Sequence, residues 1–287
     1  MSDVALRVMS SGDVLAADSL RRLIGWNQTP EDWRRLLELE PQGCFVALRE
    51  AELVGTVTTT TYGQTLAWIG MMLVHPQYRR QGLGTRLMRQ ALDYLAGRAI
   101  ECVRLDATPA GYPLYEQLGF AAEWTLTRWQ RPAGGALAAA SGSPPATRAL
   151  AETDWGAVEA LDHEAFGAPR GRLLRRLAAA SRVARVWPAA GAPAGFGLLR
   201  AGANADYLGP VVCASAEGAR ALTAALLGDS GARPIFWDAP DPNATAKATA
   251  PAFGFAPVRP LTRMRLGPEA APNSPQVQFA IADPAVG

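Results

Sequence analysis

The run Leu73-Val74-His75-Pro76-Gln77-Tyr78-Arg79-Arg80-Gln81-Gly82-Leu83-Gly84-Thr85-Arg86-Leu87-Met88 constrains this chain more than any other. An apolar stretch from Trp68 to Val74 reads as a strand, and Pro76 stops it. A basic, glycine-punctuated turn then feeds a helix with apolar Leu83, Leu87, Met88, Ala91, Leu92 and Leu95. Strand, glycine turn and helix together make an anion-binding layout. The first helical turn leaves backbone N–H groups without partners, and the aligned peptide dipoles put partial positive charge there, which suits phosphate. Gly82 and Gly84 carry no Cβ, so a pyrophosphate can lie directly on the backbone. Arg79, Arg80 and Arg86 surround it with positive charge, and the Thr85 hydroxyl adds a donor.

Two glycines before a helix also occur in plain tight connections, so the surrounding pattern decides. The turn lacks the Gly-Lys-Ser/Thr end of a P-loop and the third glycine of the dinucleotide fingerprint. Val74-x-Pro76-x-x-Arg79-x-x-Gly82-x-Gly84 resembles the acyl-CoA pyrophosphate loop of the GCN5-related N-acetyltransferases (GNAT). That loop reads Arg or Gln, two residues, Gly, one residue, Gly or Ala. The resemblance implies acetyl-CoA as acyl donor, held by Met72, Leu73, Val74, Arg79, Arg80, Gln81, Gly82, Leu83, Gly84, Thr85 and Tyr112, with no metal.

At 287 residues the chain is long for one domain and comfortable for two, and 49% apolar content supports real cores. A net charge of +2 does not suggest nucleic acid or a membrane as partner. No apolar run reaches membrane-span length, Met1-Ser2-Asp3 does not open a signal peptide, and a cytoplasmic location is the default expectation. Cys44, Cys102 and Cys213 sit in apolar strand-like runs without paired spacing and read as buried thiols. His75 and His163 are far apart, so a histidine-rich metal site is not available.

The element order begins with a strand at Val4–Met9 and a helix at Asp13–Leu23. Thr29-Pro30-Glu31-Asp32 opens a second helix, with Thr29 as N-cap, Pro30 in the first position and Asp32 in the capping-box place. Cys44–Arg49 and Leu53–Tyr62 read as a hairpin, Cys102–Ala107 as a strand, Gly111–Leu118 as a short helix, and Trp124–Gln130 as a closing strand. This is the GNAT order over Val4–Arg131. After a Pro/Gly/Ala/Ser stretch the pattern partly repeats: Ala205–Val212 echoes Ala67–Val74, and Asp238-Ala239 leading to Gly254-Phe255 echoes Asp106-Ala107 leading to Gly119-Phe120. The expected fold is α/β (α+β), with two tandem GNAT-like domains. Each has a mixed, mostly antiparallel central sheet with a splayed strand pair, flanked by helices. The expected limits are 1–131 for the acyl-CoA-binding domain, 132–146 for a linker, 147–267 for a degenerate copy, and 268–287 for a tail without structural signal. The turn after Val212, Cys213-Ala214-Ser215-Ala216-Glu217-Gly218, has no arginine and no paired glycines, so the second copy is expected to bind acyl-CoA poorly or not at all.

The resemblance also implies chemistry. A bulge in the strand before the loop offers a backbone N–H to the thioester carbonyl, by position near Leu73 and Val74. The pantetheine arm pairs with the strand's open edge like an added strand. Tyr115, four residues before Gly119-Phe120, matches the family's general acid. A phenol with a pKa of about 10 can protonate a thiolate whose intrinsic pKa is about 8.5. The competing readings are a core aromatic for Tyr115 and Tyr112 as the donor. Tyr112, expected in the loop ahead of Pro113, would line the pantetheine or acceptor path. Many relatives carry a Glu on the strand that here reads Trp68-Ile69-Gly70-Met71-Met72, where no carboxylate stands. A water chain, Glu31, Asp32 or His75 are the candidate proton routes. Trp26, Asn27, Gln28 and Trp33 fall where the family covers the acceptor, with Trp33 equally readable as core, and Gly70 would leave space near the thioester. The leading function is an acyl-CoA-dependent N-acyltransferase acting on a small-molecule or peptide amine. The alternative is a non-catalytic acyl-CoA-binding or regulatory module.

Overall fold

The structure, a computed structural model, describes residues 4–134, 147–188, 190–269 and 273–287. Most of the expected linker, residues 135–146, lies outside them. The chain divides into two compact units. The first comprises Met1–Ala121, Met264–Ala270 and Val286, and the second comprises Ala122–Arg263, Ala271–Ala285 and Gly287.

In the first unit the elements run β1 (Val4–Val8), α1 (Val14–Ile24), α2 (Pro30–Leu39), β2 (Cys44–Arg49), β3 (Glu52–Tyr62), β4 (Leu66–Val74), α3 (Leu83–Gly97), β5 (Cys102–Ala107) and α4 (Tyr112–Gln117). The strands lie in the order β1-β2-β3-β4-β5. β1 to β4 are antiparallel and β5 runs parallel to β4. Helix limits follow local chemistry. Gly25 closes α1 in the left-handed region at φ 80°. α2 opens on the reciprocal Thr29–Asp32 capping box, with the Thr29 N–H 2.7 Å from Asp32 Oδ2. Side chains alternate along β3 and β4. Val57, Ala67 and Ile69 face α3 and join Leu83, Leu87, Met88, Ala91 and Leu95 in one core. Full burial of a side chain such as Leu87 contributes about 1.5–3 kcal/mol. Trp68 has the opposite parity and points to the other face. It is fully buried, as is Trp33 of α2.

The second unit holds β6 (Ala121–Arg131), β7 (Arg148–Ala149), α5 (Trp155–Phe166), α6 (Gly171–Ala179), β8 (Ser181–Trp187), β9 (Gly195–Arg200), β10 (Asp206–Cys213), α7 (Ala216–Gly228), β11 (Ile235–Pro240), α8 (Ala244–Thr249), β12 (Ala256–Leu266) and β13 (Gln278–Ala280). Their order is β6-β11-β10-β9-β8-β7, with β13 on β10. β6, expected to close the first domain, is counted with the second unit. There it pairs antiparallel with β11 from Leu126 to Arg131, and Arg128 forms a buried bidentate pair with Asp238. The last residues of β12 are counted with the first unit, where Met264 is buried in the core.

Internal duplication shows in detail beyond the sequence echoes. Arg7 binds Asp13 through two hydrogen bonds while Asp13 accepts from the Ser10 N–H; Arg148, Asp154 and the Ala151 N–H repeat the arrangement. The residues after 272, which carry no structural signal in the sequence, take part in the fold. Gln278–Ala280 form β13, and Gln278 through Ala282 are all buried.

Candidate active site

The site is built on β4. Its register with β3 runs Thr58↔Gly70 and then Thr56↔Leu73, so Met71 and Met72 stand opposite the single residue Val57. This is a β-bulge. Met71 takes φ 46°, and its carbonyl accepts a 2.7 Å hydrogen bond from the Thr56 hydroxyl, which holds the bulge open. The bulge therefore lies at Met71–Met72 and not at Leu73–Val74, because pairing resumes at Leu73. β4 pairs with β5 only from Leu66 to Trp68, and beyond Trp68 the two strands part.

After β4, His75 Nδ1 accepts from the Gln77 N–H and caps a 3-10 turn over Pro76–Tyr78. Arg79 Nε donates to the Val74 carbonyl at 3.1 Å and Gln81 Nε2 to the Gln77 carbonyl at 2.9 Å. Arg80 is exposed at φ 58°. Gly82, at φ 78°, is the N-cap of α3 and has no side chain to satisfy the first-turn N–H groups. Those groups, from Leu83 to Thr85, are available to an anion. Gly84 is closely packed as well as accessible. A Cβ there would lie 3.1 Å from Met72 Cε and 3.1 Å from Leu114 Cδ2. Arg86, expected beside the phosphate, instead donates to the Val4 carbonyl of β1 at 2.7 Å.

Leu114 brings α4 against this turn. Gly111 is the N-cap, so Tyr112 is the first helical residue and Pro113 the second, one position earlier than the sequence suggests. Tyr112, Leu114 and Tyr115 share one apolar cluster with Met72, Val74 and Leu83. The Tyr115 ring is buried edge-on to Phe120, and its hydroxyl makes no hydrogen bond among the described residues. Burial pushes its pKa above the usual phenol value, which keeps it protonated at neutral pH.

The candidate proton acceptors are engaged elsewhere. Asp32 accepts from Thr29 and from Arg35, Glu31 is exposed and paired with Arg34, and His75 caps its turn. In the proposed acceptor region Asn27 and Gln28 are buried, and Trp26 offers its carbonyl to Arg21. Trp33 is core, yet its Nε1 is buried without a hydrogen-bond partner among the described residues, as are the hydroxyls of Thr58 and Thr60. Thr58 and Thr60 pair with Gly70 and Trp68, so a row of unused polar groups borders the glycine gap in β4. The threonine-rich run Thr56–Thr61, with Thr56, Thr58 and Thr60 at alternate positions, is the sequence signal for this row.

Two family models match the chain. One, the acetyltransferase (GNAT) family, covers residues 15–120, and the other, an acetyltransferase (GNAT) domain, covers residues 158–280. The chain is a tandem GNAT-family protein. It is 27% identical over 245 residues to the uncharacterised N-acetyltransferase YitH of Bacillus subtilis (strain 168), covering 80% of each chain. Mycothiol acetyltransferase of Thermobispora bispora is 33% identical over 110 residues, covering 34% of this chain and 37% of that one. The crystal structure of an acetyltransferase-like protein from Pyrococcus horikoshii superposes at TM-score 0.84 with 26% identity, over 100% of this chain and 97% of that one. A tandem GNAT protein from the clavulanic acid biosynthesis pathway superposes at TM-score 0.69 with 18% identity, over 94% and 100%.

Within this GNAT pair the second unit keeps the frame and loses the groups. The Phe120 N–H bonds the Tyr115 carbonyl in the first unit, and the Phe255 N–H bonds the Ala250 carbonyl in the second. Alanine thus stands in the place of the tyrosine. At α7 the N-cap is Ser215, whose Oγ accepts from the Gly218 N–H at 3.2 Å, and Glu217 lies in the first turn. Trp187 and Cys213 crowd Gly218, where a Cβ would come within 2.6 Å of Trp187. A self-capped, acidic, crowded helix start is a poor anion site. No helix among the described residues is long and apolar enough to cross a membrane.

Proposed function

We propose that the first unit transfers the acetyl group of acetyl-CoA to a primary amine, of a small molecule or peptide, by direct attack. The observation that carries this reading is the uncapped start of α3 at Gly82, set at the end of a bulged strand that parts from its neighbour. Residues 82–85 would hold the pyrophosphate on backbone N–H groups, with Arg79 and Arg80 adding charge. The free edge of β4 beyond Trp68 would take the pantetheine arm, and Met72, Leu114 and Tyr112 would wall it. Acetyl-CoA supplies an activated thioester. The chain supplies orientation, a backbone donor at the Met71–Met72 bulge for the carbonyl oxygen, and the Tyr115 hydroxyl as proton donor to the departing thiolate.

An amine of pKa about 10.4 is almost wholly protonated at pH 7 and must lose a proton before attack. β4 carries no carboxylate, and Asp32 and His75 are committed to caps, so the proton leaves to water at the open strand edge. The missing carboxylate is also the observation that favours a second reading, an acyl-CoA-binding module without turnover. Release of CoA thiol from acetyl-CoA across a panel of primary amines separates the two. Amine-dependent thiol release with formation of the acetylated amine supports transfer. Saturable acetyl-CoA binding without release on a panel spanning polyamines, amino acids, aminoglycosides and peptide N-termini supports the module.

A further inference from the structure

β10 and β11 of the second unit repeat the geometry of β4 and β5. They run parallel and pair only at Asp206–Leu208 against Ile235–Trp237, and the register of β10 with β9 breaks between Leu208 and Val211. The splay so formed is filled by the chain itself. β13 pairs antiparallel with β10, with Val211 opposite Ala280 and Val212 opposite Gln278. On its other side the Ile281 N–H donates to the Asp238 carbonyl at 3.1 Å, and Trp237 Nε1 donates to the Phe279 carbonyl. Residues 278–282 therefore bond both walls of the splay and are at most 2% exposed.

The fit is specific along its length. Gln278 Nε2 donates to the Ala165 carbonyl, and Asn243 Nδ2 donates to the Gln278 carbonyl at 3.1 Å. Phe279 packs in the core with Trp237, and Arg200 donates to the Ala282 carbonyl. At Gly209, φ 151°, a Cβ would stand 2.1 Å from the Ile281 carbonyl oxygen, so only glycine admits this strand at the irregular part of β10.

We propose that the groove which in the first unit takes a pantetheine arm is, in the second unit, a binding site for an extended peptide, and that its resident ligand is segment 278–282. An added strand satisfies the exposed edge of β10 with backbone hydrogen bonds while alternate side chains select the sequence. The second unit is thereby closed to acyl-CoA by occupancy as well as by its helix start. The parallel with pantetheine rests on the reading of the first unit given above, whereas the occupancy rests on the second unit's own bonds.

Hydrogen–deuterium exchange of the full chain, with and without acetyl-CoA, tests this. Amides 278–282 and 211–213 should exchange at least a hundredfold slower than free chain and stay so at saturating acetyl-CoA, while segments 69–74 and 79–85 gain protection. Free-chain exchange in 278–282, or its deprotection by acetyl-CoA, overturns the proposal. Absent protection at 79–85 with 278–282 still slow overturns the first unit's reading alone. In the Phe279→Asp chain, 211–213 and 278–282 should lose protection together, by at least tenfold. Amides 211–213 unchanged while 278–282 exchange freely would overturn the shared site. If that variant does not fold, the wild-type exchange decides.

Discussion

The hydroxyl of Thr56 donates to the carbonyl of Met71 across 2.7 Å, and Met71 is the residue of β4 held at φ 46°. A non-glycine residue in that region is strained, and this bond, fully buried, is what the strain is balanced against. Thr56→Val keeps the shape and removes the donor, leaving a buried carbonyl unpaired at a cost of about 1–3 kcal/mol. Thermal unfolding should register that loss. Turnover should fall by tenfold or more with a much smaller change in acetyl-CoA affinity, because the proposed mechanism uses the bulge to aim a backbone N–H at the thioester and the substitution leaves the turn at residues 79–85 untouched. Wild-type turnover in a destabilised Thr56→Val chain would show that the bulge is structural only.

Tyr115→Phe keeps the ring against Phe120 and removes the hydroxyl proposed as proton donor. Removal of a general acid costs about 10²–10⁴-fold in the chemical step. Single-turnover thiol release at saturating acetyl-CoA should show this, free of masking by product release. A normal rate in Tyr115→Phe together with a slow one in Tyr112→Phe would move the role to Tyr112. Normal rates in both would assign the proton to solvent.

Thiol chemistry offers an independent check on packing. Cys44, Cys102 and Cys213 are all buried, and burial pushes the Cys44 thiol up to about 12. A disulfide reagent at pH 8 should therefore titrate almost no thiol in the native chain and three in the unfolded one. Rapid native reaction at any of the three would contradict the packing of β2, β5 or β10.

The Arg7–Asp13 pair predicts an acid dependence. Hydrogen bonding to Arg7 holds the Asp13 carboxyl well below its ordinary value, so its contribution is complete above about pH 4 and is lost as pH falls toward the folded pKa. Arg7 is 44% exposed, which screens the pair, so Asp13→Asn should cost only about 1 kcal/mol at pH 7. The difference from wild type should shrink below pH 4. A difference that is constant from pH 7 to pH 3 would place the effect in packing.

How far the sequence could be read depends on whether each feature is encoded locally. α2 is legible because Thr29, Pro30 and Asp32 carry its start within four adjacent positions. The turn from Arg79 to Gly84 is legible because its spacing is specific. The exact place of the bulge is not, because it depends on how Thr56 and Leu73 come into register across two strands. The partner of β6 is equally invisible: the pairing of Arg128 with Asp238 belongs to two distant segments. Gln278-Phe279-Ala280-Ile281 alternates too briefly to announce a strand, and only the vacant edge of β10 makes it one. The alanine at 250 is legible as well, because it stands four residues before Gly254-Phe255 as Tyr115 does before Gly119-Phe120, and the Phe120–Tyr115 and Phe255–Ala250 backbone bonds show the two places to be equivalent.

One acyl-CoA is predicted to bind per chain, on the helix start at Gly82. Calorimetric titration of acetyl-CoA into the intact protein measures it most directly, first on the wild type and then on Gly82→Val. The Gly82 position has open space around it, so the substitution acts through the left-handed backbone and the approach of the anion, not through core crowding. The prediction is one site per chain in the wild type and a loss of affinity well over tenfold, about 1.4 kcal/mol or more, in the folded variant. Two equivalent sites, or one site indifferent to Gly82→Val, would contradict it.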